Sequence, residues 1–122
     1  IRKTVYISSE TMEILKRGLR NVVVFGTGVL ANVEGLEVAG KTGTAQRGHR
    51  ELELQTHGAF VCYAPADNPK IALVVHLENA SSAEAALIAG RILKRIFIPQ
   101  SPEVTFEKRS EVPDFTGGEE ND

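Results

Sequence analysis

Two threonines, a lysine and two glycines are adjacent near the middle of the chain, in the segment Gly40-Lys41-Thr42-Gly43-Thr44. In an extended strand alternate side chains share one side, so the hydroxyls of Thr42 and Thr44 are expected to lie together. Lys41 adds a positive charge beside these two donors, and this set suits a carboxylate such as the C-terminus of a peptide. The glycines lack side chains, so a ligand backbone can approach the strand and pair with it.

The same segment overlaps a phosphate-binding pattern, G-x-x-x-x-G-K-[ST], which runs from Gly35 to Thr42. That pattern requires a helix directly after the Lys-Thr pair, whereas Gly43, Thr44 and Gly48 follow in this sequence and disfavour a helix. The four spacer residues alternate in polarity like a strand, and no apolar strand ends in an aspartate that could bind magnesium. We therefore set nucleotide binding aside.

Helices are predicted on both sides of the strand-forming region. Ser8 or Ser9 can cap the first helix, whose apolar stripe we interpret as core. The members of that stripe are Met12, Leu15, Leu19, Val22 and Val23. Residues 26–28, Gly-Thr-Gly, end this helix. A capping box at residues 81–84 begins the second helix, which reaches about residue 97 before a proline stops it.

Three strands are predicted between the helices, at residues 35–46, 56–64 and 70–78. Residues 65–69 cluster two prolines with Asp and Asn, which is typical of a turn. This short connection makes the second and third strands an antiparallel hairpin. The sequence therefore predicts an α+β fold, with an antiparallel sheet of about three strands flanked by N- and C-terminal helices.

The overall composition indicates one small domain and excludes several classes of protein. The chain has 122 residues, 42% of them hydrophobic, one cysteine and a formal net charge of −2. It contains no apolar run long enough to span a membrane. One cysteine excludes an internal disulfide framework and a cysteine-cluster zinc site, and the charge argues against a general nucleic-acid binder.

The two ends of the chain carry further expectations. Seven acidic and two basic residues between positions 103 and 122 give that stretch a net charge of −5. We expect residues 1–98 to form the folded part and residues 99–122 to form a flexible acidic tail. Because the chain begins with Ile1 rather than methionine, we expect it to be a piece of something longer.

The remaining reactive side chains are better explained by structural roles. Cys62 stands among apolar strand residues, so we expect it to be a buried packing residue. His49, His57 and His76 have no spacing that suits a metal site. We therefore expect neither a metal ion nor a cofactor.

A longer match surrounds the lysine-threonine-glycine element, because residues 39–46 read Ala-Gly-Lys-Thr-Gly-Thr-Ala-Gln. This segment resembles the K-T-G strand of penicillin-recognising serine enzymes. Residues 60–65, Phe-Val-Cys-Tyr-Ala-Pro, resemble the next strand of that fold, and a third apolar strand and a terminal helix follow in the same order. Over about residues 5–98 the chain is similar to the C-terminal part of the transpeptidase domain of class B penicillin-binding proteins, most like the elongation type. It departs from that family at Cys62, where glycine is usual.

The resemblance implies a partial penicillin-binding transpeptidase fold, which is similar to that of serine β-lactamases, and roles for four residues. It implies that the backbone N–H of Thr44 completes an oxyanion hole and that Lys41 supports charge and proton transfer. It further implies that the hydroxyls of Thr42 and Thr44 hold the substrate carboxylate, and that Lys41 and Gly43 belong to the same substrate-binding set. In that family a serine attacks a stem peptide that ends in D-alanyl-D-alanine, and β-lactams acylate the same serine.

The nucleophile that the resemblance requires is missing from this sequence. None of its six serines is followed by lysine three positions on, as in S-x-x-K, or by asparagine two positions on, as in S-x-N. We therefore expect a C-terminal fragment of a D,D-transpeptidase, inactive by itself. The alternatives are a noncatalytic penicillin-recognising sensor and an interaction module. The same K-T-G element also serves β-lactamases and D,D-carboxypeptidases, although the Thr-Ala-Gln continuation favours transpeptidases.

Partners and location also follow from the resemblance. It implies peptidoglycan stem peptides and β-lactams as ligands, and a membrane glycan polymerase as a partner, with no nucleic acid. It implies the extracytoplasmic (periplasmic) face of the cell membrane, through an anchor outside this chain. The missing N-terminal part of the same domain would cover an otherwise unpaired sheet edge.

Overall fold

A computed structural model describes residues 2–47 and 55–98, with two long helices and three strands. The elements are α1 (Ser9–Val24), a short 3₁₀ helix (Val29–Ala31), β1 (Ala39–Arg47), β2 (Gln55–Ala64), β3 (Ile71–Glu78) and α2 (Ser82–Phe97). The predicted α+β class with a three-stranded antiparallel sheet and two flanking helices is confirmed. The predicted acidic tail at 99–122 lies outside the described residues.

The sheet has the order β1-β2-β3, with both pairs antiparallel and in continuous register. Thr42 of β1 lies opposite Phe60 of β2, which in turn lies opposite Val75 of β3. The predicted hairpin of the second and third strands is therefore confirmed. The prediction that the first strand begins at residue 35 is wrong, because Gly35 adopts a φ of +78° within a tight turn before β1. Only glycine enters this conformation without strain.

Both helices begin at the serines that the sequence indicates. The Ser8 side chain accepts a hydrogen bond from the backbone N–H of Thr11 at 3.1 Å. At α2, the Ser81 hydroxyl accepts from the Glu84 N–H at 3.2 Å, and the Glu84 carboxylate accepts from the Ser81 N–H at 2.7 Å. This reciprocal pair satisfies donors that the first turn of a helix leaves without partners.

The core lies between one face of the sheet and the two helices. Phe60 and Leu93 are fully buried there, together with Val23 from the end of α1. The small residues of α2 allow close packing: a Cβ at Gly90 would lie 3.0 Å from the Cα of Ala31. The prediction that the whole apolar stripe of α1 is core holds only at its C-terminal end, since Leu15 is 51% exposed.

The opposite face of the sheet has no covering layer among residues 2–47 and 55–98. Val61 and Val74 lie opposite each other on this face and are 50% and 65% exposed. Neither α1 nor α2 is long and apolar enough to cross a membrane.

Candidate functional site

The residues predicted to bind a carboxylate lie on β1, which is an edge strand of the described sheet. Phe60, opposite Thr42, is fully buried beneath the helices, and Gly58, opposite Thr44, packs against Ser81. Residues opposite each other in an antiparallel pair share one face. Thr42 and Thr44 therefore share one side of the strand, as alternation predicted, and the structure shows that this is the helix-covered side.

The backbone of β2 shows which way the groups of β1 point. The carbonyl of Ala64 accepts from the N–H of Lys70, and the carbonyl of Thr56 accepts from the N–H of Ala80, at 3.0 and 3.2 Å. Lys70 directly precedes β3, and Ala80 comes shortly after it. The even-numbered residues of β2 therefore direct their backbone groups towards β3. Because direction alternates along a strand, the odd-numbered residues of β2 direct theirs towards β1.

This alternation leaves part of the β1 backbone unpaired with β2. The pairs Lys41–Val61 and Gly43–Ala59 contain odd-numbered residues of β2, so they are the hydrogen-bonded pairs of the ladder. The N–H and C=O groups of Thr42 and Thr44 then point to the outer edge of β1. In the described part of the chain no other strand pairs with that edge.

The ammonium of Lys41 reaches this edge although its side chain leaves the strand on the face opposite to Thr42. Its Nζ donates to the carbonyl oxygen of Thr42 at 2.7 Å and lies 3.5 Å from the Thr42 Oγ1. The flexible four-carbon stem of lysine permits this return. A positive charge, a hydroxyl and outward N–H groups are thus combined at one exposed strand edge.

Thr27 is a site residue that the sequence analysis did not identify. Its Oγ1 lies 2.6 Å from the Oγ1 of Thr42, and either atom can donate the hydrogen. The glycines on either side of Thr27 were recognised only as the end of α1. Their spacing was a usable signal, because glycines flanking one polar residue indicate a tightly packed turn that presents it.

Ser82 is the second residue that the sequence analysis missed. The Thr44 hydroxyl donates to the Oγ of Ser82, in the first turn of α2, at 3.2 Å. This contact depends on Gly58, because a Cβ there would lie 2.2 Å from the backbone carbon of Ser81. The absent side chain lets the start of α2 lie directly against the sheet beside the site.

The cysteine and the described histidines have structural environments rather than catalytic ones. Cys62 is 2% exposed, and burial raises the pKa of its thiol to about 11. It is therefore a packing residue rather than a nucleophile at neutral pH. The rings of His57 and His76 stack at a centroid distance of 5.7 Å. In the described ranges no three His, Cys, Asp or Glu residues are grouped as metal ligands, and His49 lies outside those ranges.

An open groove of about 540 Å³ lies towards the other end of β1, away from Thr44. Residues of both charges line it, among them Lys16, Arg17, Glu37 and Asp67. Arg20, also in its lining, donates to the carbonyl of Val38 at 2.9 Å and ties α1 to the start of β1. None of the predicted site residues lines this groove.

Comparison with known proteins gives the same family as the motif. The family model for the penicillin binding protein transpeptidase domain matches residues 2–97. Among curated proteins, stage V sporulation protein D of Bacillus subtilis is 38% identical over 102 residues, covering 77% of this chain and 16% of that protein. Peptidoglycan D,D-transpeptidase MrdA of Haemophilus influenzae is 38% identical over 108 residues, covering 75% of this chain and 17% of that protein.

Solved structures agree with the fold. The transpeptidase domain of the FtsI4 D,D-transpeptidase from Legionella pneumophila superposes with a TM-score of 0.63 at 30% identity, covering 74% of this chain and 37% of that one. Penicillin-binding protein 2B of Streptococcus pneumoniae gives a TM-score of 0.64 at 28% identity, covering 81% and 18%.

The extent of these matches differs between this chain and its relatives. The chain spans only about a sixth of the length of the two curated relatives, while the family model covers most of the chain itself. The motif, the fold and the relatives all agree with the resemblance to class B penicillin-binding proteins of the elongation type. The chain belongs to the penicillin binding protein transpeptidase domain family.

Proposed function

We propose that this chain supplies the K-T-G strand of a serine-type peptidoglycan D,D-transpeptidase, which cross-links stem peptides and binds β-lactams. The observation that carries the proposal is the outer edge of β1, with which no other described strand pairs. There the Lys41 ammonium lies beside the hydroxyl and carbonyl of Thr42, and the N–H of Thr44 points outward two residues further along the strand. Membership of the transpeptidase family supports it.

In this proposal the stem peptide lies along the edge of β1 as an added strand. Its terminal carboxylate accepts hydrogen bonds from Thr42 and is neutralised by Lys41. Because the Thr44 hydroxyl already donates to Ser82, Thr42 is the better placed of the two hydroxyls for the carboxylate. Among residues 2–47 and 55–98, the Cβ of Ala59 alone comes within 4 Å of where a Cβ of Gly43 would be, at 3.8 Å, so Gly43 leaves room for the ligand.

The chemical step is acyl transfer between two amines. A serine oxygen attacks the carbonyl carbon of the penultimate D-alanine, and the N–H of Thr44 stabilises the negative oxygen of the tetrahedral intermediate. The C–N bond breaks, the proton lost by the attacking serine hydroxyl passes to the departing amine nitrogen of D-alanine, and an ester to the serine remains. An amine from a neighbouring stem peptide then attacks the ester, forms the cross-link and releases the serine.

The attacking serine must come from outside this chain, because none of its six serines has the S-x-x-K pattern. We infer that the chain alone is inactive and that the N-terminal part of the same domain completes it. The open sheet face around Val61 and Val74 is a surface of the kind such a part would cover. The implied location is the extracytoplasmic face of the membrane, with a membrane glycan polymerase as partner.

A second candidate is a noncatalytic penicillin-recognising sensor or interaction module. The lack of a nucleophile in the sequence favours the interaction module. A sensor that penicillin acylates would, like the transpeptidase, take its serine from outside this chain. A sensor would form an acyl-enzyme with penicillin but release no D-alanine from a stem peptide. An interaction module would do neither.

The test measures D-alanine release from a synthetic peptide ending in D-alanyl-D-alanine by the full-length protein that contains this chain. We expect release by the wild type and a loss of about 10- to 100-fold in Thr42→Val, since a hydrogen bond to a charged group is lost. Thr4→Val is the matched control, because Thr4 is exposed and has no side-chain hydrogen bond among the described residues. Equal rates in wild type and Thr42→Val would contradict the proposal.

A further inference from the structure

Thr27 lies across the edge of β1 from Thr42, with 2.6 Å between the two hydroxyl oxygens. We propose that Thr27 is a positioning residue, which donates its hydroxyl hydrogen to Thr42 and so aims the Thr42 hydrogen at a substrate carboxylate. This inference rests on the proposed function, since the carboxylate is that of the stem peptide or the β-lactam.

The number of hydrogens that the Thr27 and Thr42 hydroxyls can donate determines which of the two donates to the other. Each threonine hydroxyl has one hydrogen to donate and two lone pairs that accept. A carboxylate only accepts hydrogen bonds. A Thr42 hydroxyl that binds a carboxylate must therefore donate its single hydrogen to it. The oxygen of Thr42 must then accept from Thr27, which the geometry allows because either oxygen can be the donor.

Lys41 reinforces the same direction. Its ammonium, which is only a donor, lies 3.5 Å from the Thr42 Oγ1. Thr27 thus donates to one lone pair of this oxygen at short range, and the Lys41 ammonium approaches the same oxygen at longer range. The hydrogen of Thr42 is left free to point outward, and donation by Thr27 polarises that hydroxyl and strengthens its bond to the ligand.

The position of Thr27 is fixed by close packing of the turn that contains it. A Cβ at Gly28 would lie 2.9 Å from Cε2 of Phe60 and 3.0 Å from Cγ1 of Val22, so only glycine allows this approach. The Gly28 N–H also donates to the carbonyl of Val22 at 2.9 Å. Phe60 also lies opposite Thr42 in the sheet, so the turn that contains Thr27 packs on the residue that pairs with Thr42.

Thr44 provides a contrast within the same strand. Its hydroxyl donates to Ser82, so its hydrogen is already engaged before any ligand arrives. The hydroxyls of Thr42 and Thr44 therefore differ in function although their side chains share a face. The difference comes from their neighbours: Thr27 can donate to Thr42, whereas Ser82 accepts from Thr44.

The experiment compares two β-lactams that differ only in the carboxylate. The second-order acylation rate of the full-length protein is measured with a penicillin and with its methyl ester, for wild type, Thr27→Val, Thr27→Ser, Thr42→Val and the double valine variant. Thr4→Val is the control for the substitution itself.

We expect Thr27→Val to lower the rate with the free acid about three- to tenfold, the range for one lost neutral hydrogen bond. The rate with the methyl ester should stay at the wild-type value, because the ester carries no charge for Thr42 to bind. Thr27→Ser keeps the hydroxyl and should stay within about twofold of wild type. The double variant should be no slower than Thr42→Val alone, since Thr27 acts only through Thr42.

Two results would overturn the inference without touching the proposed function. Wild-type acylation with an unchanged rate in Thr27→Val would show that Thr27 has no role. An equal loss with the acid and the ester, not restored by Thr27→Ser, would show that the substitution only disturbs the fold. If the wild type reacts with neither compound, the proposed function fails, and the inference fails with it.

Discussion

Lys41 and Thr42 meet at one edge of β1 although neighbouring side chains in a strand leave on opposite sides. The ammonium curls back to within 2.7 Å of the Thr42 carbonyl. A short side chain at position 41 could not do this, so the charge at the edge depends on the length of lysine as well as on its sign. The sequence motif was sufficient to identify both residues. The contact between the Lys41 ammonium and Thr42 could be seen only in the three-dimensional structure.

Cys62 is the only cysteine of the chain, so its reactivity can be measured without interference from another thiol. Burial raises the pKa of its thiol from 9.0 to about 11, so the folded state holds a proton that the unfolded state loses first. We expect the folded chain at pH 8 to react with a disulfide reagent about 100-fold more slowly than the chain unfolded in guanidinium. Folded stability should fall as pH rises from about 9 towards about 11.

The measurement follows thiol release spectrophotometrically under both conditions. Equal reaction rates in the folded and unfolded chain would contradict the packing role assigned to Cys62.

At the scale of elements, the site is held where α1, β1 and α2 meet. The turn after α1 brings Thr27 to Thr42, and the first turn of α2 brings Ser82 to Thr44. Both approaches need glycine at the crowded point, Gly28 for the turn and Gly58 for α2. The strand carries the motif, but the two helix ends determine what its hydroxyls can do.

Gly58→Ala should separate α2 from β1. A Cβ at Gly58 would lie 2.2 Å from the carbonyl carbon of Ser81 and 2.6 Å from the N of Ser82, both backbone atoms that cannot rotate away. We expect the free energy of unfolding to fall by about 1–3 kcal/mol, as for other overpacked sites, in urea titrations of the chain. Gly18→Ala is the control, because nothing lies within 4 Å of the added carbon. Equal stability of Gly58→Ala and wild type would show that α2 does not need this contact.

Ser81→Ala should weaken the start of α2. It removes the hydroxyl that accepts from the Glu84 N–H, at a cost of about 1 kcal/mol in the free energy of unfolding. Hydrogen bonds from the Ser81 backbone and hydroxyl hold the pKa of the Glu84 carboxyl below its usual range. Its stabilising effect is thus present above the usual pKa and is lost as pH falls through the lowered one.

The checks on this cap are a urea titration and an NMR titration of Glu84. In Ser81→Ala the pKa of Glu84 should move back up towards its usual range. Ser9→Ala is the matched control, since Ser9 also lies in a first helical turn but makes no side-chain hydrogen bond among the described residues. The backbone N–H of residue 81 still donates to Glu84 in this variant, so the rise is only partial. A Glu84 pKa that does not rise at all in Ser81→Ala would contradict the contribution of the Ser81 hydroxyl.

Local signals explain which elements were predictable. The start of α2 was predicted correctly because the residues of its capping box lie within one short segment, 81–84. The start of β1 was wrong because the preceding turn depends on the positive φ of Gly35. Thr27 was missed because its bond to Thr42 spans 15 positions and exists only once Gly28 has packed on Phe60. Contacts set by tertiary packing have no local pattern to read.

At the scale of the whole molecule, the helices cover one face of the sheet, and no other described element covers the opposite face. The helices bury Phe60 and Leu93 on one side, while Val61 and Val74 remain half or more exposed on the other. The Legionella transpeptidase domain is longer, and this chain covers 37% of it. These facts support the proposal made above that the chain works as one part of a larger catalytic domain, in which the rest of the domain brings the serine to β1.

The most direct test of the proposal that this chain is part of a penicillin-binding transpeptidase is fluorescent-penicillin labelling of native membranes, followed by detection with an antibody against this chain. We predict one labelled band that the antibody recognises and that is much heavier than a 122-residue chain. Prior treatment with unlabelled penicillin should abolish the fluorescence of that band but not the antibody signal. An antibody-positive band that takes up no penicillin would contradict the account, and a band of 122-residue size without label would identify a noncatalytic chain instead.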